Sequence, residues 1–263
     1  DETETLEVAT LLSIVSHHTT RQQGLQRPFR APHHTASAPA LVGGGTSPRP
    51  GEISLAHKGV LFLDELPEFQ RRVLEVLREP MESGEIMIAR ANQQVLFPAD
   101  FQLVAAMNPC QCGYHGSQQQ PCRCSPDQLR RYRDKVSGPL LDRIDMHVPV
   151  NHIAPGELTR AVSGESSAAV RKRVLAARQR QLQRCGKTNA QFNQQQLEKH
   201  CALPDAELDY LEASLQRLRL SARAYHRILK VARTIADLEP SDAIQRKHLA
   251  EAIALRGLDR PVS

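Results

Sequence analysis

Two neighbouring carboxylates, Asp64 and Glu65, directly follow the apolar run Val60 to Leu63. Such a short, uninterrupted apolar run is typical of a strand that is buried on both faces. Ligands of open α/β sheets bind beyond the carboxyl ends of the strands, so both acids would meet a nucleotide phosphate and its metal. Asp64 offers the oxygen ligand that Mg²⁺ prefers, and Glu65 can orient and deprotonate an attacking water. A strand that merely ends in solvated acids has the same pattern, and this alternative stays open.

A side-chain amide, that of Asn108, ends a second apolar segment, Leu103 to Met107. From a neighbouring strand, Asn108 can hold the same attacking water or contact the γ-phosphate. The dipeptide Asn108-Pro109 is also a common way to open a turn. Asn108 therefore favours the phosphate-site interpretation without excluding the simpler one.

Four cysteines form two close pairs, Cys110-x-Cys112 and Cys122-x-Cys124. In a chain without a visible secretory leader, pairs this close more often bind a metal than form structural disulfides. Four thiolates suit a closed tetrahedral Zn²⁺ site, which is our prediction. Because C-x-C is tighter than the usual C-x₂-C spacing, free or redox-active thiols remain the alternative.

The elements that must position these groups belong to an α/β part and a helical part. Prolines and glycines between Pro28 and Pro50 predict a long loop. Alternating residues over 86–97 predict a β-hairpin, and Ile144 to Val150 is a candidate third strand. We predict an α/β fold over residues 1–152, with a parallel sheet and helices, and an all-helical domain over 153–263.

Helical spacing of apolar residues predicts the individual helices. The predicted segments are 6–16, 165–184, 194–201, 205–217, 222–238 and 243–256. Ser221 and Asp242 have the residue types of helix N-caps, and Gly257 of a helix stop. Val73, Leu74, Leu77 and Met81 also recur at helical spacing.

The composition excludes several protein classes. The 263 residues are 40% hydrophobic and 24% charged, which is typical of a folded globular protein rather than a disordered one. No apolar run is long enough to span a membrane and no leader peptide is visible, so we expect a cytoplasmic protein without a membrane partner.

Lysine and arginine exceed aspartate and glutamate by 34 − 29 = 5, with the excess concentrated between residues 160 and 233. A nucleic-acid-binding face and solvated helix faces both fit this charge.

Several segments together resemble the AAA+ ATPases of the magnesium-chelatase and MCM-helicase branch. The segments that carry this resemblance are Gly59 to Phe69, Ala105 to Pro109 and Ser137 to Asp145. Within that branch, further segments are similar to the magnesium-chelatase-like competence family, ComM/YifB: Arg30 to Thr35, Pro48 to Ile53 and Cys110 to Cys112. The resemblance covers essentially the whole chain.

The resemblance implies roles in binding Mg²⁺-ATP for four residues. Asp64 and Glu65 would form the Walker B motif, and Asn108 would be the sensor 1 residue. Ser221-Ala222-Arg223 resembles the sensor 2 motif, which would bring Arg223 to the γ-phosphate. A basic residue on a helix surface is the alternative for Arg223.

Two further arginines receive roles from the same resemblance. Arg143 would be the arginine finger that acts on the nucleotide of the neighbouring subunit, where a guanidinium stabilises charge on the transferred phosphoryl group. A local ion pair with a neighbouring aspartate is the alternative. Arg90 would lie at the tip of the 86–97 hairpin and contact DNA, with an ordinary solubilising residue as the alternative. We have no mechanism for His33 and His34.

The family resemblance implies an enzyme that forms a homo-oligomer, a hexameric ring, and hydrolyses ATP. It would drive branch migration of DNA during natural transformation, with single-stranded or branched DNA as its partner. One alternative is a motor subunit of the magnesium-chelatase type that acts on a protein partner. The other is a non-enzymatic, zinc-stabilised module that binds nucleic acid.

No complete Walker A motif, G-x-x-x-x-G-K-[ST], is present in the 263 residues. Gly186-Lys187-Thr188 resembles its end, but Gln181 occupies the place of the first glycine. Gly43 to Gly45 lacks the third glycine of a dinucleotide-binding loop. The resemblance puts the P-loop before Walker B, so we expect an N-terminally truncated core that is inactive as a fragment.

Overall fold

The structure is a computed structural model, and it divides into two compact units, residues 1–143 and 144–263. The residues that it describes are 2–15, 26–45, 47–90, 93–117, 120–150 and 164–259. The domain boundary predicted after residue 152 lies outside the described residues. None of the described helices has the length and apolar content of a membrane span.

The first unit combines short strands with short helices. Its strands are β1 (Phe29–Arg30), β2 (Gly43–Gly44), β3 (Arg49–Pro50), β4 (Val60–Leu63), β5 (Glu85–Arg90), β6 (Gln93–Pro98) and β7 (Gln102–Ala105). Its helices are α1 (Glu2–Val15), α2 (Ala38–Val42), α3 (Glu52–Leu55), α4 (Arg71–Glu75), α5 (Pro80–Ser83), α6 (Pro126–Arg133) and α7 (Gly138–Leu141).

A parallel three-stranded sheet with the order β1-β4-β7 forms the centre of the first unit. Val60 pairs with Phe29 on one side and with Gln102 on the other. Leu61 and Leu63 of the central strand are fully buried, which confirms the apolar run as a strand enclosed by protein. The α/β prediction is therefore confirmed, with parallel strands as expected.

The identity of the third strand was predicted wrongly. Within 144–150 the structure has only an isolated bridge, from His147 to Arg256, whereas Phe29–Arg30 completes the sheet. Phe29–Arg30 lies in the segment predicted as a loop. Two residues after a proline give no periodic signal, and the pairing depends on the backbone of β4: the Val60 N–H donates to the Pro28 carbonyl at 2.8 Å.

The hairpin and one predicted helix need separate comment. Strands β5 and β6 pair in antiparallel register from Glu85 with Pro98 to Arg90 with Gln93, as predicted for 86–97. The helical spacing from Val73 to Met81 is divided: Val73 and Leu74 lie in α4, Met81 lies in α5, and Leu77 lies between the two helices. Pro80 begins α5, a position where its missing N–H costs no helical hydrogen bond.

The second unit is helical, as predicted. Its helices are α8 (Ser167–Cys185), α9 (Gln194–His200), α10 (Asp205–Leu218), α11 (Ala222–Leu238) and α12 (Arg246–Ala254). Ser221 is confirmed as an N-cap, since its Oγ accepts from the Ala224 N–H at 3.1 Å. Asp242 is not a cap: α12 begins later, at Arg246, and its N-cap is Gln245, whose N–H donates to His248 Nδ1 at 3.0 Å.

Both glycine segments that resemble phosphate loops have other structural roles. Gly186 ends α8 with φ 71°, and Thr188 caps the 3₁₀ turn Asn189–Gln191. Gly43 pairs with Pro50, and a Cβ at Gly43 would lie 2.2 Å from the carbonyl oxygen of Arg49. The chain therefore uses glycine in these places for helix termination and close backbone approach.

Candidate nucleotide site and cysteine cluster

The segments that follow β4 and β7 leave the sheet at the same edge. Leu63 pairs with Ala105 at the end of these strands, and the Ala106 N–H donates to the Leu63 carbonyl at 2.9 Å. The Leu66 N–H then donates to the Ala106 carbonyl, also at 2.9 Å. These two bonds extend the pairing beyond the strands and hold Glu65 next to the segment that leads to Asn108.

Asp64 and Glu65 are exposed at this edge. Glu65 has the left-handed conformation φ 53°, ψ 45°, which residues other than glycine rarely adopt. Its N–H donates to Asp64 Oδ1 at 2.8 Å, and a 3₁₀ turn from Leu66 to Glu68 follows. The chain thus reverses direction at Glu65 and presents both carboxylates to solvent.

His34 is a contact of Glu65 that sequence analysis left without a role. Its Nδ1 lies 2.9 Å from Glu65 Oε2. The His34 ring packs against His33, with centroids 4.1 Å apart, and meets the edge of Phe69 at 6.4 Å. His33 Nδ1 is in turn 2.9 Å from Thr35 Oγ1. The imidazole of His34 is therefore held between an aromatic neighbour and the Glu65 carboxylate.

The pairing of β1 with β4 brings the segment that follows β1 towards the same sheet edge as Glu65. Phe29 pairs with Val60 and Arg30 with Leu61, and the two strands run in parallel. The contact between His34 and Glu65 becomes predictable only after β1 has been identified as the neighbour of β4.

Asn108 is exposed beyond β7, and the buried Tyr132 of α6 lies near its backbone. Burial raises the pKa of Tyr132, and the negative charge of Glu68 raises it further. The Tyr132 hydroxyl near the predicted sensor 1 position is therefore neutral.

Arg143 lies in the first unit but is not directed into solvent. Only 6% of its side chain is exposed, Nη2 is 2.8 Å from Glu82 Oε1, and Nη1 donates to the Pro139 carbonyl at 2.8 Å. An ion pair does form at Arg143, but its partner is Glu82 rather than a neighbouring aspartate. A role on a neighbouring nucleotide requires this ion pair to open.

The other two predicted arginines occupy different elements. Arg223 is exposed in the first turn of α11, directly after the Ser221 cap, and belongs to the second unit. Arg90 ends β5, and its side chain lies outside the described part of the chain. The predicted contacts of Arg223 with a phosphate and of Arg90 with DNA stay predictions.

The four cysteines predicted to bind zinc converge on one point. The Sγ atom of Cys110 lies 3.3 Å from that of Cys112 and 3.7 Å from that of Cys122, and all four sulfurs lie within 4.8 Å of one another. Sulfurs on a tetrahedral zinc, each about 2.3 Å from the ion, lie about 3.8 Å apart. The spacing of the thiols thus fits a four-sulfur metal site.

The cysteine cluster contains thiols of different acidity. Hydrogen bonds from the backbones of Tyr114 and Arg123 lower the pKa of Cys112 to about 6. At Cys122, a backbone hydrogen bond from Cys124 acts to lower the pKa, but desolvation and neighbouring thiols raise it to about 12. The lowered pKa favours the thiolate form of Cys112, which is the form that binds a soft cation.

Two family models match the chain. The model of magnesium chelatase subunit ChlI matches residues 1–158, and that of the ChlI C-terminal region matches residues 164–256. Together they account for both units.

Curated relatives give the same assignment. The chain is 53% identical to competence protein ComM of Haemophilus influenzae over 98% of this chain and 50% of that protein. It is 51% identical to the uncharacterized protein YifB of Escherichia coli, over 98% of this chain and 51% of YifB. The magnesium-chelatase 38 kDa subunit of Cereibacter sphaeroides is 31% identical over 27% of this chain and 21% of that subunit. The chain thus spans about half the length of ComM and YifB, and with its parallel sheet and helical region it belongs to the magnesium-chelatase ChlI family of AAA+ proteins.

Proposed function

We propose that the chain is part of an ATPase that couples ATP hydrolysis to the remodelling of DNA. The observation that carries this proposal is the carboxyl edge of the parallel sheet, where Asp64, Glu65 and the segment ending at Asn108 are held by backbone pairing beyond the strands. This edge is where open α/β sheets bind nucleotides. The similarity to a competence protein supports DNA as the substrate.

In this proposal each residue of the edge has one task. Asp64 holds Mg²⁺, which when bound neutralises charge on the phosphates of ATP. Glu65 accepts a proton from the attacking water, and its bond to His34 fixes the direction of its carboxylate. Asn108 orients the water or the γ-phosphate. Because both carboxylates are exposed, a nucleotide reaches them without rearrangement of the core.

Two arginines complete the proposed site. Arg143 acts from the neighbouring subunit of a hexameric ring, after it exchanges Glu82 for the transferred phosphoryl group. Arg223, in the first turn of a capped helix, contacts the γ-phosphate. Each guanidinium stabilises negative charge that develops on the phosphoryl oxygens.

DNA, single-stranded or branched, is bound in this proposal through backbone contacts. The hairpin of β5 and β6 carries Arg90 at the end of its first strand. The basic excess of the chain adds a favourable, salt-dependent attraction for phosphates. The similarity to a magnesium-chelatase subunit covers a shorter part of the chain. A motor that acts on a protein partner is therefore our second candidate, and DNA remodelling is the first.

A zinc ion at the cysteine cluster is the third part of the proposal. The sulfur spacing fits a tetrahedral site, and four sulfur ligands without an open position are typical of structural zinc. We expect about one zinc per chain by elemental analysis, lost when Cys112 is replaced by serine. Cys185→Ser, which removes a lone cysteine of the second unit, is the control and keeps the metal.

The experiment that tests the proposed function measures ATP hydrolysis by the complete protein with and without single-stranded or branched DNA. We expect DNA to stimulate hydrolysis in the wild type and Glu65→Gln to abolish the stimulated rate. Glu68→Gln is the matched control, because Glu68 is an exposed carboxylate on the adjoining turn that pairs with Lys135. Hydrolysis without a DNA response would favour a protein substrate. DNA binding without any hydrolysis would favour a non-enzymatic module.

A further inference from the structure

We propose that helix α6 and the chain leading into it form a surface that binds the phosphate backbone of single-stranded DNA. The residues that carry this surface are Arg123, Arg130, Arg131 and Arg133. The proposal rests on the function proposed above only in taking DNA as the partner. It adds a second DNA contact in the first unit, separate from the one proposed for Arg90 and from the carboxyl edge of the sheet.

The charge of this segment differs from that of the rest of the first unit. Residues 123–135 contain five lysines and arginines and two aspartates, a net charge of 5 − 2 = +3. Residues 1–143 as a whole contain 15 basic and 16 acidic residues, a net charge of 15 − 16 = −1. The segment is therefore a positive patch on a unit that is otherwise net negative.

The arginines of this patch have no acidic partner. Other arginines of the first unit are paired with glutamates: Arg27 with Glu4, Arg30 with Glu52 and Arg78 with Glu75. In the part of the chain that the structure describes, no carboxylate lies within ion-pair distance of the four arginines of the patch. Arg131 makes one contact, in which its Nε donates to the carbonyl of Asp127 at 3.4 Å. The guanidinium groups are thus available to an external anion.

Helix α6 is anchored to the first unit and presents its arginines to solvent. Ser125 caps it: the Gln128 N–H donates to Ser125 Oγ at 3.3 Å, and the Ser125 N–H donates to Gln128 Oε1 at 2.8 Å. Tyr132, in the last turn, is only 6% exposed, whereas Arg130 and Arg131 are exposed. Because the helix is already ordered, little conformational entropy is lost when it binds a ligand.

The cysteine cluster places Arg123 beside α6. Arg123 lies between Cys122 and Cys124, whose sulfurs lie within 4.8 Å of those of the other two cysteines, and it is exposed. Cys124 directly precedes the cap residue Ser125, so the cluster also sets where the chain enters α6. The eight residues of α6 extend the patch by about 12 Å, at a rise of about 1.5 Å per residue.

The composition of the patch favours a nucleic acid over a protein partner. No large hydrophobic side chain is exposed in residues 120–135, all of which the structure describes. Protein interfaces depend on apolar and aromatic anchors, whereas contacts with a DNA backbone need cationic and polar side chains. A guanidinium can also bind one phosphate through two parallel N–H donors.

The basic helix α8 shows the contrast. Two of its arginines are already paired with acids of the second unit: Arg173 with Glu165, and Arg184 with Asp237. Its exposed residues include apolar ones, since Val174 is 51% exposed and Leu175 49% exposed. We therefore assign the DNA contact to α6, although more of the basic excess of the chain lies in the second unit.

The test measures binding of a fluorescently labelled oligo(dT) strand to the complete protein without nucleotide, between about 0.05 and 0.2 M salt. The variant combines Arg130→Gln with Arg131→Gln. Each phosphate contact of a single strand contributes about 0.7 to the slope of log affinity against log salt, so we expect the slope to fall by about 1.4. The affinity at about 0.15 M salt should fall about tenfold.

The matched control combines Arg71→Gln with Arg72→Gln. These are also adjacent, exposed arginines on a short helix of the first unit, α4, so the control removes the same charge from another place. We expect it to keep the wild-type slope and affinity. An equal loss in both double variants would indicate diffuse attraction by net charge and would overturn the assignment.

Three further outcomes would overturn the proposal. The first is a wild type that does not bind the strand, and the second is a variant of Arg130 and Arg131 that binds it with the wild-type slope. The third is weaker binding of a fluorescent ATP analogue with DNA binding intact, which would assign the arginines to the phosphates of a nucleotide.

Failure of this proposal and failure of the proposed function give different results. If Arg130 and Arg131 are needed for DNA binding but the wild type hydrolyses no ATP, this proposal is supported and the proposed function is contradicted. If DNA stimulates hydrolysis in the wild type but the variant binds DNA as the wild type does, the reverse holds.

Discussion

Arg143 and Arg233 are both buried arginines, one in each unit, but their partners differ. Arg233 pairs with Asp237 at 3.2 Å, and its partner is 1% exposed. It also donates to the carbonyls of Ser241 and Asp242. Arg143 pairs with Glu82, whose side chain is 44% exposed, and donates to one carbonyl. The Nε atoms of both arginines are buried without a partner, so that feature does not distinguish them.

The two ion pairs differ in whether their acidic partner can be solvated by water when the pair opens. Asp237 is also bound by Arg184 and by Asn189, whose Nδ2 donates to it at 2.8 Å, so opening its pairs would leave a charge buried without compensation. Glu82 can return to water when Arg143 leaves. Burial favours the neutral form of Arg233 and lowers its pKa, although Asp237 counteracts this effect. We therefore interpret Arg233 as a structural residue. We interpret Arg143 as a residue that can leave Glu82 and contact a phosphoryl group.

The largest effect expected from this comparison is on hydrolysis by Arg143→Ala in the complete protein. Loss of an arginine finger lowers the rate about a thousandfold or more, whereas stability falls by only about 1–2 kcal/mol because Glu82 becomes hydrated. The rate is measured alone and after mixing with Glu65→Gln protein. Mixed rings should recover activity, since each variant supplies what the other lacks. Arg78→Ala, at a partly exposed pair with Glu75, is the control.

Absence of recovery in mixed rings would count against a role of Arg143 in a neighbouring subunit. Loss of folding in Arg143→Ala comparable to that of the Asp237 variant below would remove the distinction between the two arginines.

The next largest effect is on stability of the helical unit. Asp237→Asn leaves the guanidinium groups of Arg184 and Arg233 without their common counter-charge, and we expect it to cost about 3–5 kcal/mol of unfolding free energy. Urea unfolding of the variant measures this loss. Asp209→Asn, at an exposed position on α10, should change the stability by less than about 0.5 kcal/mol. Equal effects of both substitutions would mean that the buried network contributes little.

A smaller effect is expected at His34. His34→Ala frees the Glu65 carboxylate, and we expect kcat for ATP to fall about tenfold to a hundredfold with little change in KM. His34→Asn supplies an N–H donor near the position of Nδ1 and should recover most of the rate. Stability should change by less than about 1 kcal/mol, because the pair is partly exposed. An unchanged kcat in His34→Ala would show that the pair has no catalytic role.

The smallest effect concerns the acid stability of the second unit. Hydrogen bonds from Lys247 and then His248 lower the pKa of Glu239 from its usual 4.5. Because the pKa is lower in the folded state, the stabilisation is complete above the unfolded value and is lost as pH falls through the folded value. The Tm difference between wild type and Glu239→Gln should therefore shrink from about pH 5 to about pH 3. A difference that grows on acidification would contradict the assignment.

The sequence predicts elements where a periodic pattern is long enough. Helix α11 agrees with its predicted range of 222–238 and with its cap at Ser221, because residues over five turns repeat at helical spacing. The strand Val60–Leu63 is predictable from its apolar run. β1 is not, because its two residues take their conformation from pairing with β4.

The candidate site is only partly predictable, because several of its contacts join segments that are distant in the sequence. Asp64 and Glu65 can be identified because residue type and position at a strand end coincide. His34 and Glu82 acquire their contacts from the packing of separate segments, which local patterns do not encode. The cysteine cluster lies between these cases, since the two C-x-C pairs predict a metal site but not how closely the four sulfurs approach one another.

The most direct test of the account is single-turnover hydrolysis of ATP by the complete protein, comparing wild type with Glu65→Gln. Removing a general base should slow the chemical step by at least about a hundredfold. ATP affinity should stay within about threefold, because Glu65 is exposed and in this account acts on the attacking water, whereas Asp64 holds Mg²⁺. Hydrolysis by Glu65→Gln at the wild-type rate would contradict the assignment of this sheet edge as the catalytic site.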